Sequence, residues 1–496
     1  MKPKRAIISV WDKDGILEFA KILADLEIEI IATSRTAKLL EENGILVCEV
    51  SNFTQSEEIL GGRVKTIHPK IAGGILSFRK EPDISPIDIV VCNLYPFEEG
   101  LKNNLTLKEM IELIDIGGVT LLRSGAKNYE FVTVIPDKKY YPLVAKELVE
   151  TQEVSLKTRE FLAAKTFEFI SYYDALIAEY FNRQFLSFND RDFYTLGFAK
   201  SLALRYGENP HQKGYYYQNS FTKFQFHQIH GKVLSYNNIL DLDSAIGAVF
   251  EFSEPACVIV KHGSPCGVAL GDNIESAYEK ALACDQESAF GGIVALNRPV
   301  NVSVAQKMTE IFLEVIAAPE FLPDAQEILK KKKNLRLIQF AGPMDSLQLR
   351  SALGGILVQD RDLVVDDIAQ WRVVSQRQPT VQELEELLFA FKAVKFVKSN
   401  GIVITKNKAT VGICGGQTSR VRAVEIALKN ARGRSENGVL ASDGFFPFRD
   451  SIDLIAQHNI KAIVEPGGSI NDAEIIKAAD EYGLLLVFSG IRHFRH

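Results

Sequence analysis

The feature that most limits the fold is the alternation, over the first hundred residues, of short apolar runs with amphipathic helical segments. AIISV is followed by Ile16, Phe19, Ala20, Leu23 and Leu26 at helical spacing, then by EIEIIA, a TAKLLEEN helix closed by Gly44, and VCEV. This predicts a βαβαβ start. IDIVVCNLY and FVTVI extend it into an open parallel α/β sheet with helices on both faces. Ligands of such sheets sit beyond the carboxyl ends of the strands, which singles out Trp11 to Lys13, Thr33 to Thr36 and Asn93 to Tyr95.

At 496 residues the chain exceeds the size at which one core stops growing, so two or three domains are expected. A continuous helical pattern from Leu156 to Phe181 ends in the aperiodic QFLSFNDRDF, which places a boundary near residue 190, giving domains 1–190 and 191–496. Beyond it two stretches have similar layouts. Strand ACVIV leads through KHGSPCG to a helix, and GIVIT, paired with TVGIC, leads through GGQTSR to another. Two related subdomains are suggested, although their identity is too low to read as a repeat.

A net charge of −6 offers no basic stripe for nucleic acid, and Lys330 to Lys333 read as a solvated helix face, so small-molecule partners are expected. The N-terminal MKPKRAIISV has too short an apolar stretch for a signal peptide, and no run of roughly 18 apolar residues suggests a membrane helix. The expected location is the cytoplasm. Six cysteines without a C-x-x-C pair suggest neither a disulfide framework nor a zinc site.

In the second part, RYGENPHQ gathers Arg205, Tyr206, Glu208, Asn209, His211 and Gln212 in eight residues. This is either a surface turn or a loop that clamps a phosphorylated ligand through the forked donors of arginine. Lys261 and His262 close the apolar strand CVIV. Imidazole titrates near neutrality and a neighbouring ammonium stabilises developing negative charge, so the pair suits proton transfer. HGSPC resembles the zinc-deaminase signature but fails it: Ser264 stands at the glutamate and Ala269 at the second cysteine, and no catalytic metal is expected.

GGQTSR is expected to open a helix whose free N–H groups, with Arg420, favour an anion. GFFPFRD offers aromatic surface at Phe445, Phe446 and Phe448 with Asp450, and PGGSIND and the terminal GIRHFRH add Ser469, Arg492 and His493. In the first part, GRVKTIHPK carries Arg63, Lys65, Thr66, His68 and Lys70. CNLYPF carries Asn93 and Tyr95, and IDIGGVTLLRSGAKN carries Asp115, paired glycines and Lys127. Paired glycines at a turn can present backbone N–H groups to a phosphate or an oxyanion.

Taken in order, GRVKTIHPK, CNLYPF, IDIGG with SGAKN, RYGENPHQ, LSYNNILD, KHGSPCG, SAFGG, GQTSR, FFPFRD, EPGGSI and RHFRH resemble the family of bifunctional purine biosynthesis proteins over essentially the whole chain. The resemblance implies a methylglyoxal-synthase-like IMP cyclohydrolase domain and an AICAR transformylase part of two cytidine-deaminase-like subdomains, working as a homodimer. It implies 10-formyltetrahydrofolate as co-substrate. His262 would take the amine proton, with Lys261 stabilising charge and His211 assisting. Lys65, Tyr95, Asp115 and Lys127 would serve ring closure, Lys127 as acid/base.

Substrate positions by resemblance are Asp12, Lys13, Thr33, Arg35, Thr36, Arg63, Thr66 and Asn93 in the first part, and Arg205, Tyr206, Gly291, Glu314, Asn400 and Arg420 in the second. Val421, Phe445, Asp450, Ser469, Ile470 and Arg492 match positions near the second ligand, the folate, or near the ribonucleotide.

The chain departs from the family where S-D-K and S-T-G-G-T are usual. It has Trp11-Asp12-Lys13 and Thr33-Ser34-Arg35-Thr36, losing a hydroxyl and two glycines from the phosphate segments. Ala72, Ser264 and Asn471 replace a histidine, an asparagine and an arginine, and Glu314 replaces an aspartate. These changes leave open a second reading, a working transformylase whose N-terminal domain only binds nucleotide or supports the dimer. A third is a nucleotide-sensing regulator on the same folds.

Overall fold

The computed structural model describes residues 2–496. Two compact units are present: one runs to Ala199 and takes in Tyr217–Phe221, and the other holds Lys200–Tyr216 and Thr222–His496.

The first unit begins as expected, with β1 (Arg5–Ser9), α1 (Ile16–Asp25), β2 (Glu29–Ala32), α2 (Ser34–Glu42) and β3 (Cys48–Glu49). It continues through α3 (Val50–Thr54), α4 (Pro69–Leu76), β4 (Ile89–Cys92), α5 (Phe97–Lys102), α6 (Leu107–Glu112), α7 (Gly117–Lys127), β5 (Thr133–Ile135) and α8 (Tyr141–Thr151). The helix α9 (Leu156–Phe185) follows and runs past the expected Phe181. The strands pair in parallel in the order β3-β2-β1-β4-β5.

Side chains alternate between two cores. Ala6, Ile8, Ile30 and Val91 enter one, and Ile7, Ile31, Val90 and Cys92 the other, as a sheet covered on both faces requires. Strand order reverses at β1, so the segments after β1 and β4 diverge and leave a crevice at their carboxyl ends.

The second unit carries most of β6 (Phe198–Ala203), then β7 (Tyr215–Asn219) in part, β8 (Gln225–His230), α10 (Tyr236–Val249), β9 (Ala256–Lys261) and β10 (Ser264–Leu270). Next come α11 (Ile274–Cys284), α12 (Gln286–Ala289), β11 (Ile293–Leu296), α13 (Val302–Met308), β12 (Val315–Ala318), α14 (Pro323–Lys330) and β13 (Arg336–Ala341). A two-stranded ribbon, β14 (Leu347–Ala352) and β15 (Gly355–Asp360), separates these from a second set. That set is β16 (Arg372–Val373), α15 (Val381–Val394), β17 (Ile402–Thr405), β18 (Thr410–Cys414), α16 (Arg420–Ala431), β19 (Val439–Ser442), α17 (Asp450–Ala456), β20 (Ala462–Glu465), α18 (Asp472–Glu481) and β21 (Leu485–Phe488).

Two mixed six-stranded sheets result, β10-β9-β11-β12-β13-β8 and β18-β17-β19-β20-β21-β16. Each is a hairpin, an antiparallel third strand, two further parallel strands and an antiparallel edge supplied from before the first helix. Connectivity and strand sense match throughout, so the likeness that local sequence only suggested is a likeness of topology. Residues from both sheets, among them Val258, Val260, Val403 and Val464, share one core with Leu242 of α10 and Leu387 of α15.

Candidate active sites

In the first unit a cleft of about 620 Å³ opens at the carboxyl ends of the strands. Among the expected residues, Trp11, Lys13, Thr33, Arg35, Thr36, Arg63, Lys65, Thr66, Asn93, Tyr95 and Asp115 line it. Asp12 and Lys127 do not. The Asp12 carboxylate pairs with Lys138 at 2.9 Å. Lys127 is the last, exposed residue of α7, whose opposite end, Gly117 and Gly118, faces the cleft. His68 caps α4 by accepting the Lys70 N–H at 3.1 Å, which accounts for it structurally.

Lys13, Arg35, Arg63 and Lys65 make the cleft cationic, as a phosphorylated ligand requires. Lys13 Nζ reaches the Val10 carbonyl and Thr36 Oγ1, the latter at 3.1 Å. Burial, followed by the repulsion of Arg35, pushes its pKa down to about 8. The segment Thr33–Thr36 enters α2 directly, with Thr33 extended as the N-cap and no residue of the segment at positive φ. The path therefore makes no use of the conformational freedom the missing glycines would have given.

Asp115 sits between the turn and the helix. Its Oδ1 accepts the Gly118 N–H at 2.6 Å, and its own N–H donates to Tyr173 Oη at 2.9 Å, which in turn donates to the Leu113 carbonyl at 2.6 Å. A Cβ on Gly118 would stand 2.8 Å from Asp115 Oδ2 and from Leu94, so only glycine lets the carboxylate approach. Burial raises the Asp115 pKa, and burial, then Asp115 itself, raises that of Tyr95. A carboxyl and a phenol whose charged forms are both disfavoured suit proton exchange.

In the second unit the site is organised by α10. Tyr236 N–H donates to the Tyr206 carbonyl (3.2 Å) and Arg205 N–H to the Leu234 carbonyl (2.9 Å), holding the RYGENPHQ loop over the helix start. Asn238 Nδ2 donates to Glu314 Oε2 (3.0 Å), which also pairs with the buried Arg336 (3.3 Å). One turn on, Asp241 Oδ1 accepts the Gly263 N–H at 2.6 Å, and Ser244 Oγ donates to the Gly263 carbonyl at 3.2 Å.

His262 (φ 55) and Gly263 (φ 76) form the two-residue turn between β9 and β10, both in the left-handed region that such hairpins demand. This geometry leaves the His262 side chain exposed. Lys261 Nζ donates to the Phe290 carbonyl at 2.7 Å, next to Gly291, and Glu314 N–H donates to the Gly292 carbonyl. A continuous set of bonds thus joins Lys261, Gly291, Glu314 and the Arg205 loop. His211 stands exposed on that loop.

Asn400 Nδ2 donates to the Gln417 carbonyl at 2.8 Å, tying it to the GGQTSR loop, and α16 starts only at the final arginine of that motif. Arg420 is directed inward. It is buried, and its Nη1 is ion-paired with Asp443 and bonded to Ser442 Oγ at 3.0 Å, which ties that side of the guanidinium to the protein. Phe446 is fully buried while Phe445 and Phe448 remain exposed, so FFPF divides between core and surface. Asn471 Nδ2 donates to the Pro447 carbonyl (2.7 Å) and its N–H to Ser469 Oγ (3.2 Å), clasping the FFPF and PGGSIND loops together.

Ile470 is wholly exposed, Val421 lies half-buried on α16, Asp450 begins α17, and the Arg492 guanidinium stacks 4.5 Å from the Phe494 ring. His493, by contrast, is buried between Asp362 (2.6 Å) and Asp366 (3.1 Å).

Glu58, Arg336 and Lys398 lie outside the motifs that the sequence singles out, and Asn238 and Asp241 lie inside LSYNNILD without a role of their own. Glu58 accepts from Ser34 Oγ (2.9 Å) and pairs with Lys65 (3.2 Å). Lys398 Cε would lie 3.4 Å from a Cβ at Gly263, beside the His262 turn. The S-Y-N-N capping box, Ser235 with Asn238, was the one available signal for α10. Among the described residues no group of three or more His, Cys, Asp or Glu side chains could hold a metal ion, and no helix is long and apolar enough to cross a membrane.

Two family models match the chain: an MGS-like domain over residues 15–120 and the AICARFT/IMPCHase bienzyme over residues 125–430. Among curated relatives, the bifunctional purine biosynthesis protein PurH of Persephonella marina is 50% identical over 515 residues, covering 99% of this chain and 100% of that protein. PurH of Caldicellulosiruptor bescii is 48% identical and PurH of Lactobacillus acidophilus 46% identical, with the same coverage of each chain.

Proposed function

Because the chain belongs to the bifunctional purine biosynthesis protein family, we propose that its two units divide between them the last two steps of IMP synthesis that the family performs. It is an AICAR formyltransferase and an IMP cyclohydrolase. We assign the first reaction to residues 191–496 and the second to residues 1–190. The observation that carries this division is the cationic first-unit cleft with Tyr95 and Asp115 in its lining, separate from the Lys261–His262 turn of the second unit.

In the first reaction the amine nitrogen of AICAR attacks the formyl carbon of 10-formyltetrahydrofolate. The new N–C bond forms as the folate N10–C bond breaks, the amine loses a proton and N10 gains one. His262, exposed at the hairpin tip, takes the amine proton. Lys261, fixed by the Phe290 carbonyl, stabilises charge on the formyl oxygen, and His211 assists from the RYGENPHQ loop. Arg205, Tyr206, Gly291, Glu314 and Asn400 hold AICAR, and Arg420 shapes that pocket through Asp443. Val421, Phe445, Asp450, Ser469, Ile470 and Arg492 serve the folate end.

In the second reaction the carboxamide nitrogen attacks the formyl carbon of the same molecule and water leaves, giving IMP. Holding both groups in one cleft supplies much of the acceleration. Lys13, Thr33, Arg35, Thr36, Arg63, Thr66 and Asn93 grip the ribonucleotide, with Asp12 tying down the rim, while Lys65, Tyr95 and Asp115 polarise the formyl oxygen and pass protons. Lys127 belongs to this set by family resemblance alone. We read the protein as cytoplasmic and as a homodimer; exposed Leu353 in the β14–β15 turn and exposed Ile356 and Leu357 on β15 support the dimer.

Incubation with AICAR and 10-formyltetrahydrofolate is expected to yield IMP promptly, against a control in which formyl-AICAR stands without enzyme. Accumulation of formyl-AICAR would instead favour the second reading, a transformylase with a degenerate first unit, which Trp11 and Thr33–Thr36 keep in view. His262→Ala is expected to abolish formyl transfer and leave ring closure of supplied formyl-AICAR intact; loss of both would overturn the division.

A further inference from the structure

Trp11 lies two residues beyond the end of β1 and lines the first-unit cleft while remaining 45% exposed. Asn93 Oδ1 accepts the N–H of both Trp11 and Asp12, and Asn93 Nδ2 donates to the Asp12 carbonyl at 2.9 Å. The segment after β1 is thereby locked to the segment after β4, two residues before Tyr95. The indole meets the Tyr95 ring edge-to-face, with centroids 5.2 Å apart and planes at 90°. Tyr95 and Asp115 line the same cleft, near enough for the carboxylate to raise the phenol's pKa after burial has done so.

We infer that Trp11 is a positioning residue for ring closure: its indole fixes the Tyr95 ring beside Asp115 and shields it from water. This rests on the assignment of ring closure to the first unit. A phenol held edge-to-face against an aromatic neighbour loses rotational freedom, which is what proton exchange with a bound formyl group needs. Edge-to-face pairs also add attraction beyond the area they cover. The raised Tyr95 pKa, caused first by burial, agrees with this shielding.

The test uses the full-length chain with supplied formyl-AICAR. Trp11→Ala is expected to lower kcat for IMP formation roughly tenfold, the upper end of what one aromatic pair supplies, with KM little changed. Trp11→Phe, which keeps an edge for the phenol, is expected to recover most of the loss. Trp11→Leu, which keeps apolar volume without a ring, should behave like the alanine variant and stands in for it if that variant folds poorly. In a phenolate-absorbance titration, subtracting the Tyr95→Phe signal, the Tyr95 transition should move to lower pH in Trp11→Leu and not in Trp11→Phe. An unchanged kcat in both ring-free variants, with IMP still bound, overturns the inference. Absence of ring closure in the unsubstituted chain overturns the assignment of the cleft instead.

Discussion

At residue scale, Lys13 and Arg420 show what neighbours do to a cation. The position of Lys13 after the first strand is legible, but not its pKa, which depends first on burial and then on Arg35 from the next loop. With that pKa near 8, the ammonium assigned to the phosphate in the proposed function is lost as pH rises through 8. KM for formyl-AICAR in ring closure is therefore expected to climb above pH 8, and Lys13→Arg, which stays charged, should flatten that limb in a pH–rate series. The motif around Arg420 suggests an anion binder but says nothing of the ion pair that Arg420 makes. Its partner Asp443 lies past the far end of α16 and the whole of β19, and no local pattern reports a contact of that range. Arg420→Ala would strand a buried carboxylate, at a cost of roughly 3–5 kcal/mol measurable by denaturant unfolding.

At the scale of elements, the strand ends were legible because parallel strands are continuous apolar runs and their loops must carry the polar residues. Trp11, Thr33, Asn93 and Tyr95 fell into one cleft on that rule alone. The turn at His262 was legible as a strand end, but its left-handed conformation was not, since it follows from the two-residue hairpin that β10 completes. Gly263→Ala places a side chain at φ 76 and is expected to lose about 1–2 kcal/mol of stability by thermal unfolding. Formyl transfer should fall with it, because the Asp241 clamp on the turn is disturbed. Lys127 was located by resemblance, and the eleven-residue α7 carries it to the end away from the cleft lining, which motif spacing cannot reveal.

At the scale of the whole molecule, the C-terminus is anchored by His493, buried between Asp362 and Asp366, with Lys395 also 3.7 Å from Asp362. Its two carboxylates outweigh the burial penalty and raise the imidazole pKa to about 9. A pKa raised on folding means that this contribution, roughly 3 kcal/mol, is complete below the unfolded value near 6.5 and is lost as pH climbs through 9. Thermal unfolding of the protein should therefore weaken between those pH values more than that of His493→Gln, whose curve should be lower and flatter there. The like topology of the two halves was only hinted at in sequence, because strand sense and pairing are long-range properties that two unlike sequences can share.

The place where those halves meet has a further meaning. Strands β10 and β18 are each the outermost strand of their own sheet, yet Ala269 bridges Ala409, Leu270 N–H donates to the Lys408 carbonyl, and Thr410 Oγ1 both accepts from and donates to the Val268 backbone. Each half thus blocks the edge along which the other could recruit a foreign strand, the usual starting point of aggregation. Separated at the β14–β15 ribbon, either half would bare that edge together with its share of the common core. Neither half is then expected to remain in solution alone, and co-expression of the two should recover soluble protein.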